Sequence, residues 1–198
     1  MTLDDAAIDR LVAQAKAGEA DAFGSLFDHY GEQVYRFIAS RVHRPSDAED
    51  LTQLVFVKAL EALPRYEARG IPFGGWLFRL ARNTVIDFTR THRAHTDLES
   101  LVERATADLG PEALTIRKHQ IEQMARALDV LTSEQRDAIA LRFFAGLSAR
   151  EAAVAMGKKE GTVRGLQFRA IAALRRELDL DQGGADTTTG TGTRRRPG

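Results

Sequence analysis

Residues 149–166 run Ala149-Arg-Glu-Ala-Ala-Val-Ala-Met-Gly157-Lys-Lys-Glu-Gly-Thr-Val163-Arg-Gly-Leu166. Four positions carry the offsets of two helices meeting across a tight turn. Ala153 is small where the helices would cross, Gly157 can adopt the left-handed conformation that ends the first helix, and Val163 and Leu166 return the second to the core. The run therefore reads as a helix-turn-helix. Its second helix presents Lys158, Lys159, Arg164, Gln167, Phe168 and Arg169 near its start or outer face, which suits its N-terminal half to a DNA major groove. Arginine bonds bidentately to guanine and glutamine to adenine. Phe168 is read either as a contact to sugar or a thymine methyl, or as core. Arg175 and Arg176 fall toward the end of that helix, where its dipole accounts for them without DNA.

Outward from this unit, apolar residues recur at helical spacing and no stretch alternates with a period of two, so the fold class is all-α. Upstream, helices are expected at Glu112–Leu131 and Glu134–Phe144, with Thr132-Ser133 as a cap. Gly110-Pro111 breaks the pattern, and the acidic, loosely patterned stretch before it reads as a linker. In the first half, helices are expected at Ala6–Ala17, at Asp21–Val42 with Phe23, Leu26, Phe27, Tyr30, Val34, Phe37 and Ile38 as the buried stripe, from Ser46 to about Leu63, and at Phe73–Thr91 despite a weak Gly74-Gly75 start. Pro45 is read as the end of the second helix, and Ser46 with Glu49 as the capping box of the third. The whole is two small helical domains joined by a flexible linker: residues 1–92, a linker at 93–115, the helix-turn-helix domain at 116–180, and a Gly/Thr-rich tail at 181–198 expected to be disordered.

The chain of 198 residues has a formal net charge of +0, but the charge is unevenly spread. Residues 1–92 carry 11 Lys/Arg against 13 Asp/Glu, 93–115 carry 2 against 5, 116–180 carry 12 against 8, and 181–198 carry 3 against 2. An acidic first half and a basic helix-turn-helix segment imply two kinds of partner, one of them DNA. With no cysteine, disulfides and thiolate metal sites are excluded. The acidic start lacks the basic residues of a signal peptide, and no apolar run approaches the roughly 18 residues that span a bilayer, so no membrane insertion and a cytoplasmic location are expected.

On the helix at 73–91, Trp76, Arg79, Asn83, Ile86 and Arg90 share one face, while Leu77, Leu80, Ala81, Thr84 and Phe88 line another. Preceded by a loop with Tyr66, Arg69 and Phe73, that face combines rings, arginines and an amide, as a surface for phosphates and unpaired bases requires. Trp76 and Phe73 are equally readable as core. Asp50 and Gln53 lie together on the helix before, an acidic surface suited to a basic protein partner. No nucleotide-binding, zinc-protease or nucleophile-elbow string occurs, and no histidine is spaced to join the carboxylates, so no catalytic residue, metal or cofactor is expected. An operator-binding regulator would leave the first 92 residues without a purpose, and a small hydrolase or nuclease lacks its nucleophile, base or metal set.

Three strings, Asp47-Ala-Glu-Asp-Leu-Thr-Gln-Leu-Val-Phe-Val-Lys-Ala-Leu, Trp76-Leu-Phe-Arg-Leu-Ala-Arg-Asn83-Thr-Val-Ile-Asp87-Phe and Gly161-Thr-Val-Arg-Gly-Leu-Gln-Phe-Arg-Ala170, resemble the extracytoplasmic-function (group IV) sigma factors of bacterial RNA polymerase. The resemblance covers about residues 20–92 and 120–178, in the family's order. It implies a non-enzymatic alternative sigma factor that binds the clamp and flap surfaces of core RNA polymerase, recognises minus-ten and minus-thirty-five promoter elements and promotes DNA opening. By the same resemblance Asp50 and Gln53, with Glu49 beside them, match clamp-contacting positions. Asn83 and the loop before Trp76 match positions that read the flipped minus-ten base, and Arg164, Phe168 and Arg169 face the minus-thirty-five element. An anti-sigma factor is an implied partner. Leu54 stands where the family often has an acidic residue, and Gly165-Leu166-Gln167 replaces a common Ser-Arg-Leu-like string.

Overall fold

The computed structural model describes residues 3–42, 44–68, 70–91 and 130–185, with side chains as far as Glu177. Among them every regular element is helical and none is a strand. Helix α1 (Asp5–Lys16) starts where the Asp4 carboxylate accepts from the Ala7 amide at 2.7 Å, and it carries Asp5 in its first turn and Lys16 in its last, as the helix dipole favours. Helix α2 (Ala20–Ala39) buries Ala22, Leu26, Tyr30, Val34, Phe37 and Ile38. Phe27, expected in that stripe, is 43% exposed and lies at its edge with its ring 4.6 Å from that of Phe56.

Helix α3 (Pro45–Ala62) corrects the sequence reading of its start. Pro45 is the first helical residue and Arg44 the N-cap, with no side-chain cap, so the Ser46–Glu49 capping box does not form. A proline's fixed φ suits the first turn, and its missing N–H costs nothing there, so Pro45 opens the third helix rather than closing the second. A short 3-10 turn (Leu63–Arg65) follows, and helix α4 (Phe73–Thr91) starts and stops where expected. Phe37 of α2 and Phe78 of α4 meet edge-to-face at 5.9 Å in the centre of this bundle.

The expected helix at 112–131 and the linker lie outside the described residues, apart from Val130 and Leu131. Helix α5 (Ser133–Ile139) is capped by Thr132, whose side chain and that of Gln135 complete a reciprocal box, and a π turn (Ala140–Phe144) extends it. Helix α6 (Ala149–Met156) opens with a second box, Ser148 with Glu151, and closes at Gly157, which has φ 63° as the turn requires. Ala153, Val163 and Leu166 are all buried, so the helix-turn-helix spacing is met at each position. Helix α7 (Glu160–Ala185) runs past Asp181, where the sequence reading placed the start of the tail. No proline interrupts Leu180-Asp181-Gln182, and the helix carries through to Gly183-Gly184-Ala185.

One hydrophobic core runs through both halves. Leu77, Phe78 and Val85 of α4 belong to the same buried cluster as Ala138, Leu141, Ala152, Met156 and Val163. The packing line is α4 against α6, and Gly74 and Gly75 make it close. A Cβ on Gly75 would stand 2.9 Å from the Val154 Cβ, and one on Gly74 would stand 2.7 Å from Glu151 Oε1. The glycine pair that weakens the helix start as a matter of propensity is thus a seat for the neighbouring helix. Beside it, the Asp137 carboxylate of α5 is only 2% exposed and meets two arginines of the first half: Arg41 Nη2 at 3.0 Å and Arg82 Nε at 2.8 Å.

Candidate nucleic-acid interface

Helix α7 turns Val163, Leu166 and Ala170 to the core, so at about 100° per residue the opposite side carries Gly161, Arg164, Phe168, Ala172 and Arg175. Phe168 is 76% exposed, far more than a core phenylalanine, which removes the core reading of this residue. Arg164 is exposed and folds back on Glu160 one turn earlier, with Nη2 to Oε1 at 2.6 Å. An exposed i,i+4 pair of this kind contributes about 0.3–0.5 kcal/mol, so DNA can displace it readily. Lys159 and Arg169 are exposed. Two more of the six sequence-nominated side chains are engaged internally. Lys158 pairs with Glu134 at 2.7 Å, and Gln167 accepts from Arg142 Nε at 3.2 Å. Lys158 also holds the Glu134 carboxyl below its usual range, chiefly through that hydrogen bond.

Sequence reasoning set Arg175 and Arg176 aside as helix-terminal charges. Because α7 continues to Ala185, both arginines lie more than two turns before its end, and the dipole falls off within the last turn. They flank Phe168, Ile171 and Ala172 around a shallow concavity continuous with the reading face.

In the first half the nominated residues separate into two groups. Arg79, Asn83 and Arg90 are exposed along α4 with Ile86, Arg90 pairing with Asp87 at 3.2 Å. The aromatics are a packed cluster instead. Tyr66 and Phe73 are 4% and 3% exposed, Trp76 is half-buried, and the ring centroids lie 4.9 Å (Tyr66–Trp76), 5.4 Å (Phe73–Trp76) and 5.6 Å (Tyr66–Phe73) apart. The Tyr66 hydroxyl donates to the Ile71 carbonyl at 2.7 Å, and the Lys16 ammonium donates to the Tyr66 carbonyl at 2.6 Å. Tyr66 and Phe73 therefore set the shape of the loop and do not offer faces to bases. Arg69 lies outside the described residues.

On α3, Glu49, Asp50 and Gln53 are exposed as expected. Sequence reasoning missed what continues the stripe: Leu54, Val57 and Leu60 are 41%, 53% and 53% exposed, with Phe27 of α2 nearby. Their three-residue spacing was visible, but only the burial of Leu51, Val55 and Ala59 on the opposite side shows which apolar set is left over.

No helix among the described residues is long and apolar enough to cross a membrane, and no cluster of side chains among them could hold a metal. A helical bundle with an acidic and apolar face, joined to a helix-turn-helix with an arginine-lined outer face, defines a DNA-binding protein that also docks on another protein. The chain matches Sigma-70 region 2 over residues 26–95 and Sigma-70, region 4 over residues 127–176. It is 37% identical over 180 residues to the ECF RNA polymerase sigma factor BldN of Streptomyces coelicolor, covering 90% of this chain and 68% of that one. Among solved structures it is similar to CnrH in complex with the cytosolic domain of CnrY (TM-score 0.68, 30% identity, 88% of this chain and 99% of that one). It is also similar to the sigma factor RpoE of Bartonella quintana in complex with the anti-sigma factor NepR (TM-score 0.56, 25% identity, 80% and 98%). The chain belongs to the extracytoplasmic-function sigma factors of RNA polymerase. It is an alternative sigma factor, a non-enzymatic protein of promoter recognition and transcription initiation.

Proposed function

We propose the following division of labour within this sigma factor. Residues 1–92 bind core RNA polymerase and open the minus-ten element, residues 116–180 read the minus-thirty-five element, and residues 93–115 connect them. The polymerase contact is the α3 stripe of Asp50, Gln53, Leu54, Val57 and Leu60, with Glu49 at its acidic end. Minus-ten DNA meets Arg79, Asn83 and Arg90 along α4, with the exposed edge of Trp76. Minus-thirty-five DNA meets Lys159, Arg164, Phe168 and Arg169, with Arg175 and Arg176 extending the face toward phosphates. The protein works in the cytoplasm and is held in check by an anti-sigma factor, as the NepR complex of the related RpoE supports.

The exposed Phe168 between Arg164 and Arg175 carries the reading of the second domain, because a bare ring flanked by guanidiniums on a recognition helix has no folding role. Transcripts made by reconstituted polymerase with this sigma factor, mapped at their 5′ ends, define its promoters. Phe168→Ala and Arg164→Ala should then lose the upstream element preference while α4 variants keep it. If both retain that preference, the reading face is wrongly assigned.

A further inference from the structure

Gly165 weakens its helix and has no internal reason to be there. It lies in the second turn of α7, where glycine is the least favourable residue after proline. Gly157 is required by its φ of 63°, and Gly75 by the close approach of Val154. Gly165 has neither demand on it. Its backbone is ordinary helix, and a Cβ there would first meet only the far end of Arg169, with Nη1 at 3.5 Å, Nη2 at 3.8 Å and Cζ at 3.9 Å. Those are ordinary contacts, so an alanine would fit the free chain with nothing displaced.

The position of this glycine on the helix points to something outside the chain. At about 100° per residue, Arg164 and Arg169 leave α7 about 140° apart, and Gly165 and Phe168 lie between them, away from the buried Val163, Leu166 and Ala170. The Phe168 ring does not fill the place beside Gly165. It lines a concavity with Ile171, Ala172, Arg175 and Arg176, further along the helix, and none of its atoms is among the three nearest to the Gly165 Cβ position.

We propose that Gly165 is a positioning residue for promoter readout: its bare backbone is where α7 comes closest to the base edges of the minus-thirty-five element, and a side chain there would hold the helix too high to read them. This rests on the reading face given above. A helix with its side chains is about 10–12 Å across and the major groove about 12 Å wide, so the residue facing the groove floor limits how deep the axis can go. The Arg169 guanidinium covers this place in the free chain, but it sits on a long, exposed arm that can swing aside to a phosphate. Arg164, one position earlier, then reaches base edges from a backbone that is already low in the groove. The position thus trades helix propensity for depth, and depth is what base-specific contacts need, whereas phosphates are within reach of long side chains at either height.

The test sets fold stability against promoter discrimination, because a glycine kept for the fold would move both downward together when replaced. Gly165→Ala should raise the urea midpoint of the full chain, followed by circular dichroism, since it restores helix propensity without a clash. In reconstituted holoenzyme it should lower, by about tenfold, the preference for a promoter with its native upstream element over one with that element scrambled, the worth of roughly one base-specific contact. The loss should fall on the native promoter, with affinity for the scrambled one and its salt slope changed far less. Gly165→Ser should lose the preference as fully as the alanine variant. A serine or alanine variant that keeps the preference, an equal loss on both promoters, or a lowered urea midpoint in Gly165→Ala each overturns the proposal. Phe168→Ala and Arg164→Ala separate it from the reading face itself: if they lose the preference while Gly165→Ala keeps it, the face stands and the role of Gly165 falls, and if none of the three loses it, both fall.

Discussion

Arg164 and Arg169 leave the same helix from different angles, and their two contacts leave different signatures. Arg164 is closer to the start of α7 and is released from Glu160 at little cost, so it is assigned to a base edge. Arg164→Ala should then cost about 1–3 kcal/mol on the best sequence and relax preference at one base pair. Arg169→Ala should weaken all sequences alike and reduce the salt slope of log affinity by about 0.9. Binding isotherms at several salt concentrations on matched and mismatched duplexes separate the two, and unchanged affinity and slope in both variants would exclude this face. Residue identity alone was enough to find these arginines and to place Gly157, whose left-handed turn is set by chemistry within a few residues. The aromatics resisted the same approach, because a ring beside an arginine looks alike in sequence whether it packs inward, as Tyr66 and Phe73 do, or stands out as Phe168 does.

At the scale of the element, the exposed edge of α3 is an apolar stripe with an acidic start, and single exposed apolar residues need no explanation whereas a row of them does. Val57→Asp should reduce core polymerase affinity at least tenfold while leaving stability within about 0.5 kcal/mol, as expected for a half-exposed surface position. Co-purification with core polymerase and a urea melt report the two quantities, and undiminished co-purification would remove α3 from the polymerase interface. Helix α2 contributes a pH dependence. Burial, with Glu151 next in effect, pushes the Tyr30 phenol well above its usual range, so the folded state favours the neutral ring. That stability is fully present below the unfolded phenol value of about pH 10 and is lost as pH rises through the folded value. Melting temperature measured from pH 9 to pH 12 should therefore fall less steeply in Tyr30→Phe than in the native chain, and parallel curves would deny the phenol this role. Element boundaries were legible in sequence where side chains cap them, as at Thr132. They were misjudged at Pro45, which serves equally as a stop and as a first residue, and after Leu180, where the helix runs on through Gly183-Gly184 to Ala185.

The docking of the two halves across the whole molecule could not be read from sequence, since its partners are far apart in the chain: Asp137 with Arg41 and Arg82, and Gly75 with Val154. Each was locally interpretable as something else, a weak helix start or a solvated charge. Their coupling sets a limit on what interface variants can do. Removing one partner of a buried ion pair can cost about 3–5 kcal/mol, but here the stranded charge escapes to water once the halves separate, so the loss cannot exceed the docking free energy itself. Trp76, the single tryptophan, lies in the first half and reports its unfolding. In urea melts followed by Trp76 fluorescence, Asp137→Asn and Gly75→Ala should each destabilise that half. The double variant should be scarcely worse than the more damaging single one, a departure from additivity that marks a shared, saturable contact. Full additivity would instead mean that each residue supports its own half independently, and the two units would then be neighbours without being coupled.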